Sequence, residues 1–321
     1  MATLLEVKNL VKHYRSGKSR VHAVNGVSLE LTKGEVLGVV GESGCGKTTL
    51  GLLITRLVKS DSGDIVFEGN DITHLSQRTL RPLRAKIQMI FQDPYASLNP
   101  RMRAGEIIEE PLIIHKRGNT HQRHDQVMEL LDLVGLSPND YNKYPHEFSG
   151  GQRQRIGIAR AIALKPDLII ADEPVSALDV SIQGEIINLL KNLQKKFNLT
   201  YIFISHDLKV VSQISDRIAV MYLGKIVELF PAEKLSFARH PYTQALLTSV
   251  PLPDPKRKKE YKPLGGDVPS PVQLPTGCLF HPRCPYREEV CVNVEPQLES
   301  HGPNDLASCH LTHKVPKEIP I

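Results

Sequence analysis

A glycine-rich stretch from Gly41 to Thr49 sets the strongest limit on how this chain can fold. It follows a short apolar run, Val36 to Val40, which predicts a buried strand. The apolar residues after it recur at helical spacing: Leu50, Leu53, Ile54, Leu57 and Val58. A loop between a strand and a helix presents backbone N–H groups and a positive helix end to an anion. The sequence therefore predicts a phosphate-binding P-loop and a nucleotide-binding α/β protein.

The residues of this loop have distinct predicted contacts. Lys47 is expected to reach the β- and γ-phosphates of a nucleotide, and Thr48 to bind Mg²⁺ through its hydroxyl. Thr49 is expected near the α-phosphate. The other predicted phosphate-site positions are Gly41, Ser43, Gly44, Cys45 and Gly46. Cys45 stands apart from the other cysteines, so we interpret it as a small loop residue.

Two later apolar runs end in polar side chains. The run at 87–91 ends at Gln92, and the run at 168–171 ends at Asp172 and Glu173. The carboxyl ends of strands are where α/β sheets place ligand contacts. Asp172 suits a Mg²⁺ site, and Glu173 suits a base that polarises the attacking water. Gln92 is either a contact for Mg²⁺ or water, or a simple strand terminus.

A second helix also opens with an anion-binding pattern. Ser149, Gly150, Gly151 and Gln152 precede the apolar positions Ile156, Ala159 and Ala163. The serine can cap the helix, and the glycines let a phosphate approach the backbone. One nucleotide rarely needs two such ends from one subunit. The pattern therefore suggests that two subunits share a site.

Two isolated residues are weaker candidates. Tyr14 lies upstream of the P-loop, where it is either an adenine-stacking ring or an ordinary half-buried aromatic. His206 follows the apolar strand at 200–204, where an imidazole can donate to a γ-phosphate oxygen. A lone histidine is more often structural.

The hydrophobic pattern and the composition predict how the chain is divided into domains and a linker. Residues 1–230 are expected to form one α/β domain, with an inserted helical subdomain at about 95–155. Residues 231–277 are proline-rich and predict a linker with one short helix at 240–247. The basic run from Lys256 to Lys259 is most simply a solvated segment, and a contact with anionic lipid headgroups is the alternative.

The composition argues against several classes of protein. The formal net charge of +5 is small for 321 residues, and no basic domain predicts a nucleic-acid partner. No apolar run approaches the roughly 18 residues that a membrane span needs. Met1 leads directly into a strand-like pattern without a secretory signal. The chain is therefore expected on the cytosolic side.

Four of the five cysteines lie near the end of the sequence, at Cys278, Cys284, Cys291 and Cys309. In a cytosolic chain this clustering favours metal binding over disulfides. The spacing of five, six and 17 intervening residues is looser than in usual zinc sites and matches no ferredoxin pattern. Iron–sulfur and Zn²⁺ are equally open on thiolate chemistry, and unligated thiols are a third alternative. His281 and His310 are close enough in sequence to replace a ligand.

Taken in order, these motifs resemble the ATPase subunit of an ABC transporter over about residues 4–230. They are Tyr14, GESGCGKTT, Gln92, FSGGQ, LIIADE, SALD and His206. The resemblance implies an α/β fold: a P-loop ABC ATPase core with a mixed sheet, an inserted helical subdomain and a small irregular C-terminal metal-binding region at 278–321. It also implies a head-to-tail dimer, in which the P-loop of one subunit faces the FSGGQ segment of the other.

The same resemblance implies roles for single residues. Tyr14 would stack on adenine, Gln92 would couple Mg²⁺ to subunit motion, and His206 would contact the γ-phosphate. Glu173 would be the catalytic base, acting together with Lys47. Asp179, in SALD, joins the nucleotide-binding residues. Phe148 replaces the leucine that is more usual before SGGQ, which should leave phosphate binding intact.

Three further segments are similar to the dipeptide and oligopeptide importer ATPases, in particular their second, F-type subunit: MIFQDPYASLNPR at 89–101, HPYT at 240–243 and GCLFHPRCP at 277–285. This similarity implies ATP, Mg²⁺ and a [4Fe-4S] cluster on the four C-terminal cysteines, with Zn²⁺ as the alternative. It implies a peripheral position on the cytoplasmic face of the cell membrane. The implied partners are a homologous second ATPase subunit, two permease subunits and an extracytoplasmic peptide-binding protein.

Several alternatives stay open. Related importers carry nickel or glutathione on the same ATPase design. A soluble ABC ATPase acting on ribosomes or DNA usually has two fused ATPase domains or long coiled-coil insertions, which this sequence lacks. A P-loop kinase would leave the segment from Ser149 to Gln152 unexplained.

Overall fold

The computed structural model describes residues 2–17, 19–249, 265–316 and 318–319. These residues form two compact units. Unit 1 comprises those within Met1–Leu4, Leu31–Val36 and His74–Ile204, and unit 2 comprises those within Leu5–Glu30, Leu37–Thr73 and Ser205–Ile321. Part of the predicted linker, with its basic run from Lys256 to Lys259, lies outside the described residues.

The strands in the described part of the chain are β1 (Thr3–Ser16), β2 (Ser19–Thr32), β3 (Val36–Val40), β4 (Ser62–Phe67), β5 (Asn70–Asp71), β6 (Ile87–Ile90), β7 (Leu168–Asp172), β8 (Thr200–Ser205), β9 (Arg217–Tyr222), β10 (Lys225–Pro231), β11 (Glu299–Gly302) and β12 (Asp305–Ala307). The α-helices are α1 (Lys47–Ile54), α2 (Gln77–Arg84), α3 (Ala104–Ile114), α4 (Thr120–Leu133), α5 (Gly150–Ile162), α6 (Val180–Phe197), α7 (Leu208–Ile214), α8 (Pro241–Ser249) and α9 (Glu289–Asn293). Short 3-10 helices lie at Pro138–Asn142, Pro145–Glu147, Ala232–Phe237 and His281–Arg283.

Unit 1 is built on parallel strands and helices. β6 pairs with β7, and β7 pairs with β8, both in parallel register. Every residue of β7 is buried, as expected for a parallel strand that is covered on both faces. The segment predicted to be helical contains α3, α4 and the start of α5, and α3 packs against both of the others. A 2.8 Å ion pair between Arg123 and Glu109 joins α4 to α3.

Unit 2 contains both parallel and antiparallel strand pairs. β3 pairs in parallel with β9, whereas β9 and β10 are antiparallel. β12 adds to the other side of β10, and β11 pairs with β12. The last part of the chain, predicted to be irregular, therefore contributes strands to the sheet. The prediction missed them because strands of three and four residues carry too little alternation to be recognised.

A second sheet in unit 2 has the order β2, β1, β4, β5, in which β1 with β4 and β4 with β5 are antiparallel. Residues 65–71 form a hairpin, with β4 paired to β5 on either side of Glu68 and Gly69. The predicted short helix at 240–247 is confirmed as α8. Within the residues that the structure describes, no helix is both long and apolar enough to cross a membrane.

One boundary prediction was wrong. The helix after the P-loop was expected to include Leu57 and Val58, but α1 ends at Ile54. Arg56 adopts a left-handed backbone, with φ of 56°, and its Nε donates to the carbonyl of Ile72 at 2.9 Å. This long-range bond turns the chain away from the helix axis. Leu57 is consequently exposed on a turn.

Candidate functional site

The P-loop is shaped by close backbone contacts within unit 2. It leaves β3, a strand in which every residue is buried. A Cβ at Gly41 would lie 2.1 Å from the carbonyl oxygen of Met221, and one at Gly46 would lie 1.9 Å from that of Ala23. Gly46 also has φ of 106°, which L side chains rarely adopt. These two positions therefore require glycine.

The side chain of Lys47 lies along the loop. It is 5% exposed, and its Nζ donates to the carbonyl oxygens of Gly41 at 2.7 Å and Glu42 at 3.0 Å. An ammonium in this position carries a fixed positive charge at the start of α1, next to the backbone N–H groups of the helix end. This combination can bind the negative phosphates of a nucleotide.

The start of α1 has no side-chain cap. Gly46 is the N-cap residue, in a left-handed conformation, and it has no side chain that could accept a bond from the first turn. Ser43, Gly44 and Thr48 are exposed around this end. The Mg²⁺ contact of Thr48 therefore stays a prediction for an exposed residue.

Cys45 is buried in the loop, and its carbonyl accepts a 2.9 Å bond from the N–H of Gly224. Burial raises the pKa of its thiol. A buried thiol with a raised pKa is neutral and unreactive, as expected for a small loop residue.

Tyr14 borders a surface pocket of unit 2. The pocket has a volume of about 230 Å³ and is lined by His13, Tyr14, Arg15, Arg20 and Asp61. The ring is 38% exposed, and the Nζ of Lys12 lies 5.6 Å from its centroid. An accessible aromatic face among cationic side chains can stack on a nucleobase.

Gln92 and Glu173 lie together at the carboxyl edge of two adjacent strands in unit 1. Gln92 follows β6 and Glu173 follows β7, where Ile90 is paired with Ala171. The amide Nε2 of Gln92 donates to Glu173 Oε2 at 3.0 Å. Glu173 holds a left-handed backbone with φ of 44°, fixed by its N–H bond to the carbonyl of Ile204 at 2.9 Å. Strain of this kind at a carboxylate is typical of functional sites.

Asp172 ends β7 and is 2% exposed. A carboxylate is held in so buried a position only with compensating partners, since charge is costly to remove from water. Together with the carboxylate of Glu173 and the amide of Gln92, it supplies the hard oxygen donors that Mg²⁺ prefers.

The start of α5 in unit 1 is closed by its own side chains. The hydroxyl of Ser149 accepts from the N–H of Gln152 at 3.3 Å, and Gln152 Oε1 accepts from the N–H of Ser149 at 3.0 Å. This is a capping box, so the prediction that Ser149 caps the helix is confirmed. A Cβ at Gly151 would lie 2.6 Å from the side chain of Ile182 in α6, which explains why this position requires glycine.

Two predicted residues occupy the ends of other elements. Asp179 is the exposed N-cap residue of α6, without a side-chain cap bond. His206 is exposed between β8 and α7 in unit 2, directly before Asp207, whose carboxylate caps α7. Tyr14, the P-loop and His206 thus lie in unit 2. Gln92, Asp172, Glu173, Asp179 and the residues from Ser149 to Gln152 lie in unit 1.

The four C-terminal cysteines lie in one region of unit 2. The N–H of Cys278 donates to the carbonyl of Cys291 at 2.8 Å, and Cys309 Sγ accepts from the N–H of Leu311 at 3.3 Å. Burial, with a smaller contribution from the neighbouring cysteines, raises the pKa of Cys278 to about 11 and that of Cys309 to about 12. Yet across the described ranges no three His, Cys, Asp or Glu side chains converge closely enough to hold a metal ion.

The two nearby histidines contact the backbone. His281 Nδ1 is 2.9 Å from the carbonyl oxygen of Cys278, and His310 Nε2 is 3.0 Å from that of Val294. In each histidine, one ring nitrogen therefore contacts a carbonyl oxygen. The other ring nitrogen is left for any further contact.

Three residues joined by hydrogen bonds at the P-loop were not identified from the sequence. The carboxylate of Glu42 accepts two hydrogen bonds from the guanidinium of Arg283. The backbone N–H of Glu42 donates to the hydroxyl of Tyr242 at 2.8 Å. Tyr242 and Arg283 fall within segments that carried the resemblance to peptide importers. Nothing in that resemblance indicated that they touch the loop.

Comparison with known proteins agrees with these features. The family described as "ABC transporter" matches residues 24–176, and "Oligopeptide/dipeptide transporter, C-terminal region" matches residues 227–291. An oligopeptide transport ATP-binding protein of Bacillus subtilis, AppF, is 53% identical over 320 residues, covering 96% of this chain and 97% of the relative. A putative peptide import ATP-binding protein of Brucella ovis is 50% identical over 308 residues, covering 95% and 97%.

Solved structures resemble the fold. The dimeric ATP-binding cassette MJ0796 bound to ADP and Pi aligns with a TM-score of 0.67 at 32% identity, covering 71% of this chain and 99% of that one. CbiO1 of Clostridium perfringens aligns with a TM-score of 0.66 at 28% identity, covering 73% and 91%.

The mixed α/β fold and the P-loop are thus those of an ABC-type ATPase, which hydrolyses ATP. Within this class, the chain belongs to the family of ATP-binding proteins of oligopeptide and dipeptide transporters.

Proposed function

We propose that this protein hydrolyses ATP to energise the import of dipeptides or oligopeptides by an ABC transporter. The observation that carries the proposal is the 53% identity to an oligopeptide transport ATP-binding protein along nearly the whole chain. The match of residues 227–291 to the C-terminal region of such transporters supports it, because this region is distinct from the ATPase core.

The proposed domains follow the same division. Residues 1–230 form the ATPase domain with its helical subdomain at about 95–155, residues 231–277 form the linker, and residues 278–321 form the C-terminal region. The start of the second family match at residue 227 supports a boundary near 230.

In the proposed site, the P-loop holds the phosphates of ATP. Lys47 supplies positive charge to the β- and γ-phosphates. The backbone from Gly41 to Gly46, with Ser43, Thr48 and Thr49, surrounds them. Tyr14 stacks on adenine at the mouth of its pocket, and His206 donates to the γ-phosphate. The start of α1 supports the role of the P-loop in phosphate binding, since its N-cap residue, Gly46, makes no side-chain cap bond there.

Glu173 is the proposed base for water attack. Its contact with Gln92 at 3.0 Å supports this role, because the amide orients the carboxylate at the strand edge. Asp172, Gln92 and Thr48 are the proposed protein contacts of Mg²⁺. When bound, Mg²⁺ neutralises charge on the transferred phosphoryl group. Ser149, Gly150, Gly151, Gln152 and Asp179 are proposed to act on the nucleotide of a second ATPase subunit.

The test of the base is Glu173→Gln. We expect ATP hydrolysis to fall by at least about 100-fold while ATP still binds, since the amide cannot accept a proton from water. Phosphate release and equilibrium ATP binding are measured on the same preparation. Glu185→Gln is the control, because Glu185 is an exposed carboxylate paired with Arg155. A Glu173→Gln variant that keeps a third of the wild-type rate would contradict the assignment.

The proposed partners are a homologous second ATPase, two permease subunits and an extracytoplasmic peptide-binding protein. The proposed location is the cytoplasmic face of the membrane, at the permeases. In proteoliposomes that hold the complete complex, we expect ATP hydrolysis to rise when a loaded peptide-binding protein is added. Stimulation by nickel or glutathione in place of peptide would instead assign the protein to a related importer.

We further propose that Cys278, Cys284, Cys291 and Cys309 bind an iron–sulfur cluster. The four soft thiol donors in one region support this. Since the thiols do not converge on a metal position, binding requires them to draw together. Protein purified without oxygen is expected to contain about four irons with matching sulfide, and to lose both in Cys284→Ser. One zinc per chain, or no metal, would contradict the proposed cluster but would not affect the assignment of the protein as an ATPase.

A further inference from the structure

Arg283 joins the cysteine-rich region to the P-loop. Its Nη1 and Nη2 donate to the two carboxylate oxygens of Glu42 at 2.7 Å and 3.0 Å. Glu42 is the second residue of the loop, directly after Gly41. A two-bond contact between guanidinium and carboxylate fixes the orientation of both groups. The side chain of Glu42 is therefore held in one direction by a residue far along the chain.

The contact is well supported on the side of Arg283. The Arg283 side chain is 5% exposed, against 25% for Glu42. Beside it lies an aromatic cluster of Tyr222, Tyr242 and Phe280, with ring centroids 4.7–5.5 Å apart. The hydroxyl of Tyr242 also accepts the Glu42 N–H at 2.8 Å. Both the backbone and the side chain of Glu42 are thus bonded to residues that follow the core motifs.

The charge of Glu42 needs such a partner. In the proposed function, the loop receives the negative phosphates of a nucleotide. An unpaired carboxylate in the same loop would repel them, and repulsion between like charges is strong where water is partly excluded. Arg283 balances this charge and turns the carboxylate toward the C-terminal region.

We propose that Arg283 is a positioning residue of the nucleotide site, acting through Glu42. The cysteine-rich region is then part of the machinery that sets nucleotide affinity. Two ion pairs of this region differ in this respect: Lys225–Glu295 and Lys314–Glu288 are more exposed, and neither includes a P-loop residue. This inference rests on the proposed assignment of the P-loop as the phosphate site.

The test measures binding of Mg·ADP to the full chain by calorimetry, since ADP avoids turnover. Arg283→Gln is expected to weaken ADP binding about tenfold, because it leaves the Glu42 charge unbalanced. Glu42→Gln alone is expected to bind at least as tightly as wild type. The double variant Arg283→Gln with Glu42→Gln is expected to return to within about threefold of wild type, because neither charge is left. The difference in ADP affinity between Arg283→Gln and wild type should become smaller as the salt concentration is raised from about 0.1 M to 1 M.

Arg239→Gln is the matched control. Arg239 pairs with Asp305 of β12 at 3.3 Å, in the same unit, and its ion-pair partner is not a P-loop residue. It is expected to bind ADP within about twofold of wild type. Equal weakening by Arg239→Gln would mean general damage to the C-terminal region and would overturn the proposal. So would a double variant that binds no better than Arg283→Gln, or an Arg283→Gln variant that binds like wild type. Wild-type protein that fails to bind ADP would instead reject the proposed phosphate site itself.

Discussion

The two glycine-containing helix starts of this protein are built in opposite ways. At α1 the N-cap is Gly46, which has no side chain and therefore makes no side-chain cap bond to the first turn. At α5 the N-cap is Ser149, and its capping box with Gln152 satisfies both the N-cap and the third-position N–H groups. The first end also carries the buried ammonium of Lys47. No cation occupies the matching position at the second, where Gly150 begins the helix.

The difference teaches that a helix start is not by itself an anion site. At α1 an anion does not have to displace an N-cap side chain. At α5 an anion has to displace hydrogen bonds that stabilise the helix, so binding there needs a further source of free energy. A nucleotide already held by another subunit is such a source, in keeping with the proposed sharing of sites between two ATPase subunits.

The largest expected effect is at the first end. Lys47→Ala should reduce ATP hydrolysis by at least about 100-fold, because the charge that stabilises the transferred phosphoryl group is lost. Steady-state phosphate release measures it. Lys8→Ala is the control, since Lys8 is an exposed lysine of β1 paired with Glu6. If both lysine variants hydrolyse ATP alike, the first helix start is not the phosphate site.

Gly46→Ala tests whether the N-cap position of α1 excludes a side chain for steric reasons. The new Cβ would lie 1.9 Å from the carbonyl oxygen of Ala23. We expect the free energy of unfolding to fall by about 2–3 kcal/mol, and ADP binding to weaken, because the loop backbone must shift. Gly44→Ala is the matched variant, with φ of 79° but no atom within 4 Å of the new Cβ. It should lose only about 1 kcal/mol, measured by denaturant unfolding.

At the second end, capping and nucleotide contact can be separated. Ser149→Ala should lower the free energy of unfolding by about 1 kcal/mol through loss of the cap. Ser149→Asp should restore that stability, since aspartate caps equally well, yet ATP hydrolysis should stay low because a carboxylate repels phosphate. Recovery of both stability and hydrolysis in Ser149→Asp would show that the serine acts only as a cap.

The smallest expected effect lies further along α5. A Cβ at Gly157 would meet no atom within 4 Å outside its own helix backbone. Gly157→Ala should therefore raise the free energy of unfolding by about 0.5–1 kcal/mol, as alanine restricts the unfolded chain. ATP hydrolysis should be unchanged. A loss of stability would reveal a packing need at this position, in contrast to the glycines at the helix start.

Local patterns were sufficient for both helix starts. The apolar run before Gly41 predicted β3, and the serine with its glycines predicted the cap of α5, because both depend on neighbours within a few residues. Gln92 and Glu173 were placed at strand ends for the same reason. Their mutual contact follows from parallel pairing of the two strands, which the sequence suggests but does not specify.

Long-range contacts were not predictable in this way. Arg283 and Glu42 are 241 positions apart, so no periodicity links them. The end of α1 was misplaced because the bond from Arg56 to Ile72 also joins distant positions. Likewise, the four cysteines indicated metal chemistry through residue type, whereas their relative positions depend on how the whole C-terminal region folds.

The pairing of β12 with β10 affects how the protein behaves when shortened. Glu228 and Leu229 of β10 lie opposite Ala307 and Leu306, so the last residues cover the backbone edge of the sheet. A chain ended after the ATPase motifs would present this edge to solvent, with its N–H and carbonyl groups open to another sheet. The C-terminal region therefore covers a strand edge that could otherwise pair with another sheet, and its removal is expected to yield aggregates before any loss of catalysis can be measured.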